Sequence, residues 1–96
     1  MPESYNQVLQ TRTTIGSADT WIAVAIPIGA RFPLLSIEDE NQSFRVSTDN
    51  SIATNQGVFV PSAGSYQQEG VATDILTIYI SVPTSTTVAI LIYTQD

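Results

Sequence analysis

Short runs in which every second side chain is apolar recur along this chain, each cut off by Gly, Pro, Asn or Ser. Few folds besides β-strands packed face to face can use that pattern. Side chains alternate across a strand, so each run supplies one core face. In LTIYISV, Leu76, Ile78, Ile80 and Val82 share one face, and Thr77, Tyr79 and Ser81 share the other. From Trp21 to Ile28, Ile22, Val24, Ile26 and Ile28 fall on an apolar core face, while Trp21, Ala23, Ala25 and Pro27 fall on a face that is small and uncharged. Gly29 and Pro33 break that run, and Leu34 to Ile37 resumes it. Phe44 to Ser47 alternates again, with Phe44 and Val46 inward and Arg45 outward. Gly57 to Val60 reads as another strand, Tyr66 to near Gly70 as a short strand or a loop, and a polar stretch from Val8 to Ile15 as an edge strand or an extended arm. No stretch has the period of an amphipathic helix.

Seven or eight strands with turns about every ten residues predict an all-β protein, a single small β-sandwich or jelly-roll-like domain of antiparallel strands over residues 1–96. The expected core includes Ile22, Val24, Ile26, Phe44, Val46, Ile78, Ile80, Ile90 and Ile92. The last run, VAILIY, is apolar on both faces: Val88, Ile90 and Ile92 on one, Ala89, Leu91 and Tyr93 on the other. A strand of an isolated sandwich usually turns one polar face to water. The second face is therefore expected to meet another chain, which makes Trp21, Ala23, Ala25, Tyr79, Leu91 and Tyr93 the expected interface residues.

Composition removes most chemistry. The chain has no Cys, His or Lys, three Arg (Arg12, Arg31 and Arg45) and nine acids, for a net charge of −6. Nucleophiles activated by His, and zinc, copper or haem sites built on His and Cys, cannot be assembled. Phosphate backbones and anionic membranes need rows of cations that are lacking here. No enzyme activity, cofactor, nucleic acid or membrane partner is expected. The opening MPESYNQVLQ has neither the basic nor the apolar region of a signal peptide, so a cytosolic product is expected, or export by another route.

Three groups could still bind something. Glu38, Asp39 and Glu40 offer hard oxygen ligands, but neighbours on a strand end point apart and no EF-hand spacing follows, so the turn reading is preferred and no metal is expected. Asp49, Asn50 and Ser51 fit an Asx turn better than a cation site. Trp21, Tyr5, Tyr66, Tyr79 and Tyr93 could stack against sugar rings, although such residues serve core edges and interfaces as well.

SFRVSTD, then GVFVPSAGSY, Gly70 and LTIYISVPTSTTVAILIYT resemble the small β-sandwich structural proteins of tailed-bacteriophage virions. In those proteins a strand ending in Val-Pro precedes a Gly turn, a strand like TIYI follows, then a Ser/Thr-rich turn and a final apolar strand. The resemblance spans Phe44 to Tyr93. It implies a non-enzymatic virion component assembled in the host cytoplasm: a capsid cement or decoration protein, or a head-fibre or tail part. The expected partners are further copies of the chain, a homotrimer in preference to a dimer, and a major capsid or other virion protein. A carbohydrate- or receptor-binding module of the same architecture is the alternative.

Overall fold

The computed structural model describes residues 7–67, 76–84 and 87–95. Eight strands run in the order β1 (Gln7–Ile15), β2 (Ile22–Ile26), β3 (Arg31–Ile37), β4 (Phe44–Ser47), β5 (Val58–Val60), β6 (Tyr66–Gln67), β7 (Leu76–Ser81) and β8 (Thr87–Gln95). One 3₁₀ turn, Thr54–Gln56, precedes β5. The strands form two four-stranded antiparallel sheets, ordered β1-β8-β3-β6 and β2-β7-β4-β5. The all-β expectation from the sequence therefore holds.

The sheet orders follow from one long hairpin. β1 pairs with β8, β2 with β7, β3 with β6 and β4 with β5. Thr11 faces Leu91, Val24 faces Ile78, Leu35 faces Tyr66 and Val46 faces Val58, so each pair straddles a midpoint between Asn50 and Ile52. The chain doubles back on itself there, and the double ribbon rolls up. β3 then closes on β8 and β4 on β7, completing both sheets. Only the β4–β5 connection stays within one sheet; every other connection crosses the sandwich. This is the jelly roll.

One core lies between the sheets. Ile15, Leu35, Ile37, Ala89, Leu91 and Tyr93 come from the first sheet, and Val24, Ile26, Phe44, Val46, Val60, Ile78 and Ile80 from the second. Val82, just past β7, and Ala30 join them. Burying a Val, Leu, Ile or Phe side chain stabilises by about 1.5–3 kcal/mol each, the main force available to a domain without disulfides.

The alternation identifies the inward residues of β2, β4 and β7, with Ile22 half-buried at the core's margin and Ile28, beyond the end of β2, exposed. It inverts β8. Ala89, Leu91 and Tyr93 point into the core, and Ile90 and Ile92 lie half-buried on the outer face. Both faces of that strand are apolar because it is central, flanked by β1 and β3. Neighbouring side chains shield its outer residues from water, so hydrophobicity alone carries no signal for which face turns inward.

Pro33 does not end a strand as expected. It is buried inside β3, where the register with β8 slips between Arg31 and Leu34. Phe32 there takes φ 51°, a left-handed conformation unusual for a bulky residue, and leaves its ring exposed. A proline has no amide to give the ladder, so an irregularity is where the sheet can hold one.

Candidate interaction surface

Ala23 pairs with Tyr79, Ala25 with Thr77, Tyr79 with Ser47, Ser81 with Arg45, and Arg45 with Phe59. These residues share the outer face of the second sheet, because their strand neighbours Val24, Ile78, Ile80, Val46 and Val60 point into the core. The alternation that builds the core thus gathers two alanines, a tyrosine, a phenylalanine, small hydroxyls and one arginine on the opposite side. No carboxylate belongs to this set, although the chain carries nine acids.

Residues 48–57 close one end of the face. The Asp49 Oδ1 accepts the Ser51 amide at 2.9 Å and the Ser51 hydroxyl at 2.6 Å. The Asp49 amide in turn donates to the Ser47 hydroxyl oxygen at 2.9 Å. These bonds make the Asx turn that the sequence implied. The Ser51 hydroxyl, followed by the Ser51 amide, holds the Asp49 carboxyl below its ordinary value of 3.8. Hydrogen bonds to a carboxylate favour its charged form.

Trp21 fastens this loop to the sheet. Its indole Nε1–H donates to the Ile52 carbonyl at 2.9 Å. Its ring edge also lies so close to Gly57 that a Cβ there would come within 2.7 Å of Cη2 and 2.8 Å of the Val46 carbonyl oxygen. Gly57 is therefore needed for close approach. Arg45 donates from Nη1 to the Gly57 carbonyl at 3.0 Å, and its guanidinium lies 5.1 Å from the centroid of the Phe59 ring. That cation–π contact gives the Arg45 charge a partner on the face while leaving about half of Phe59 exposed. Between the loop and the sheet runs a shallow cleft of about 230 Å³, bordered by Asp19, Arg45, Asn55, Phe59, Ser81 and Pro83.

The six expected interface residues divide. Ala23 and Ala25 are exposed on this face, Tyr79 is half-buried on it, and Trp21 is half-buried with its indole committed to the loop. Leu91 and Tyr93 do not belong here. They are buried in the chain's own core, through the inversion of β8. Arg45 and Phe59 were not expected at the site. Cross-strand pairing of an outward Arg with an aromatic ring is visible only once the β4–β5 register is known.

The other candidates separate as well. Glu38 forms an ion pair with Arg12, both side chains about half exposed, and Asp39 Oδ1 accepts the Asn41 amide at 3.0 Å. The aromatic residues do not make one platform: Tyr93 is in the core, Tyr66 packs at the core's edge, and Tyr79 is on the outer face of the other sheet. Tyr5 and Gly70 lie outside the described residues.

Over the described residues, fold and surface together define a jelly-roll sandwich of eight strands with one aromatic outer face poor in charge. No protein-family description matches the chain, and no curated protein or solved structure matches it.

Proposed function

We propose that this protein is a non-enzymatic structural component that works by protein–protein contact, and that its place is the surface of a virion, as a capsid cement or decoration protein. The observation that carries this reading is the outer face of β2-β7-β4-β5. Among the described residues the strands of that face carry no acid on their outer side, although Asp19 borders the cleft, and they place Tyr79, Phe59 and an Arg45 held over the Phe59 ring there. Depletion of acids with enrichment of aromatics and Arg is the composition of interface cores, and such residues carry most of the binding energy. The jelly roll adds support by analogy of fold, since capsid and lectin domains both use it. Copies of the chain associate and lie on a larger protein lattice.

The test is to purify particles from the producing cells on a density gradient and look for the chain by mass spectrometry and in a cryo-EM map. Phe59→Asp and Tyr79→Asp should weaken docking by roughly tenfold or more, as hot-spot losses do, while the circular dichroism spectrum stays all-β. Absence from every particle, together with selective retention on a glycan array, would replace this reading with the carbohydrate-binding alternative.

A further inference from the structure

The four edges of the sandwich are not alike. β2 stops at Pro27, β5 has three residues between Gly57 and Pro61, and β6 as described has two. These are short edges, two of them stopped by proline, the devices that keep sheet edges from pairing with other chains. β1 has none of these devices. It runs nine residues, Gln7–Ile15, in unbroken register with β8 from Gln7 opposite Gln95 to Ile15 opposite Thr87. It has no proline, no glycine, no bulge and a single charge, Arg12. Among the described residues its other side pairs with nothing. In an antiparallel ladder every second residue of an edge strand points its N–H and C=O away from the sheet. β1 therefore offers a straight row of donors and acceptors about 30 Å long.

We infer that β1 is a docking edge whose occupant is β1 of a second copy, antiparallel about a two-fold axis at Thr11, so that the two first sheets join into one of eight strands. This deepens the association reading above by stating how copies join, and it gives two copies where the sequence alone favoured three.

Three observations select a second copy. The first is charge. In this register Arg12 faces Gln10 of the other copy, Val8 faces Thr14, and Thr11 meets Thr11, so no like charges oppose each other although each chain carries −6 overall. Thr–Thr pairs are favourable across strands, and like charges directly opposite are not. The second is face matching. A two-fold axis normal to the sheet keeps Leu9 and Thr13 on the core side together, and Gln10 and Arg12 on the outer side together. That follows the faces β1 already presents to Tyr93, Ala89, Ile92 and Ile90. The third is access. Thr11 lies opposite Leu91 on the core side, yet its side chain is exposed, so the second sheet does not overhang the edge. The resulting contact is isologous and closed, which uses the β1 edge of both copies and leaves neither β1 free to propagate a fibre.

The register gives a test with opposite signs at one position. Gln10→Lys sets a cation against Arg12 of the other copy twice per dimer and should raise the dimer dissociation constant about two- to thirtyfold; Gln10→Glu sets an acid there and should lower it, by less because Arg12 already pairs with Glu38 of its own chain. Analytical ultracentrifugation reads both. Amide hydrogen exchange supplies a backbone readout: alternate amides of β1 should become protected as concentration rises through the dissociation constant, while those of β2 do not change. A two-chain mass, the two shifts in opposite directions and protection in β1 support the proposal. A monomer at millimolar concentration, a three-chain mass, or a dimer whose β1 amides and Gln10 variants show no effect would overturn it. Failure to find the chain on particles, with the β1 dimer intact, would count against the virion reading alone.

Discussion

A single-residue step along β8 decides whether a side chain points into the core or outward. Leu91 is 1% exposed and is among the largest fully buried side chains, whereas Ile90 beside it is half-buried on the other face. Leu91→Ala should therefore cost about 2–5 kcal/mol, transfer and cavity terms together. Ile90→Ala should cost about 1 kcal/mol, because part of that side chain already meets water. Urea unfolding of the two variants measures the contrast, and equal losses would contradict the face assignment. Leu91→Asp should fail to fold rather than release intact monomers, since it buries an unpaired charge. Asp49 allows a second test at this scale. Its folded-state pKa lies below the ordinary value, so its contribution is present above that value and is lost as pH falls through the lower folded one. Asp49→Asn should melt below wild type near neutral pH, and the gap should narrow as the pH falls through and below the ordinary value of 3.8. A gap independent of pH would mean that the Asp49 charge contributes nothing to the loop.

Strand existence was legible because alternation is a property of short segments. β4 runs over the residues the pattern marks, and β1, β2, β7 and β8 differ from it only at their ends. What could not be read depends on partners distant in sequence. The inward face of β8 is fixed by its position between β1 and β3, and the packing of Trp21 depends on a loop some thirty residues later, as the Nε1–H bond to Ile52 demonstrates. Pro33 in β3 was misread for the same reason: its tolerance depends on the register slip against β8. The loop–tryptophan unit is itself testable. Gly57→Ala forces a methyl against both the Trp21 ring and the Val46 backbone, and backbone cannot move as cheaply as the end of a flexible side chain. The expected loss is about 1–3 kcal/mol, as for overpacked sites, with a change in Trp21 fluorescence because this is the chain's only tryptophan. Trp21→Phe should cost about 1 kcal/mol through the lost bond to Ile52. Wild-type stability and an unshifted emission spectrum in Gly57→Ala would mean that the loop is not seated against the indole.

At the scale of the whole molecule, the mirrored pairing about the middle of the chain sets the order in which the fold can be built. Closing the β4–β5 turn brings together Val46 and Val58, whereas β1 and β8 must bring Gln7 to Gln95. The entropy of closing a loop grows with its length, but each inner pair that forms shortens the loop the next one must close. The ribbon should therefore zip outward from the β4–β5 turn, with β3·β6 next, then β2·β7, and β1·β8 last. Non-local pairing of this kind folds slowly, in milliseconds to seconds. Stopped-flow kinetics on truncations at both ends of the ribbon measures the order. Val46→Ala should slow folding with a φ-value above about 0.5, and Leu9→Ala should chiefly speed unfolding with φ below about 0.3. Reversed values would place the nucleus in β1·β8 and end the zipping account. The same order bears on assembly: the strand that the two-fold contact uses is the last to join its own sheet. A destabilised β1 should therefore lose dimerisation before the core unfolds, with exchange protection of the β1 amides vanishing while that of Ile78 and Ile80 persists.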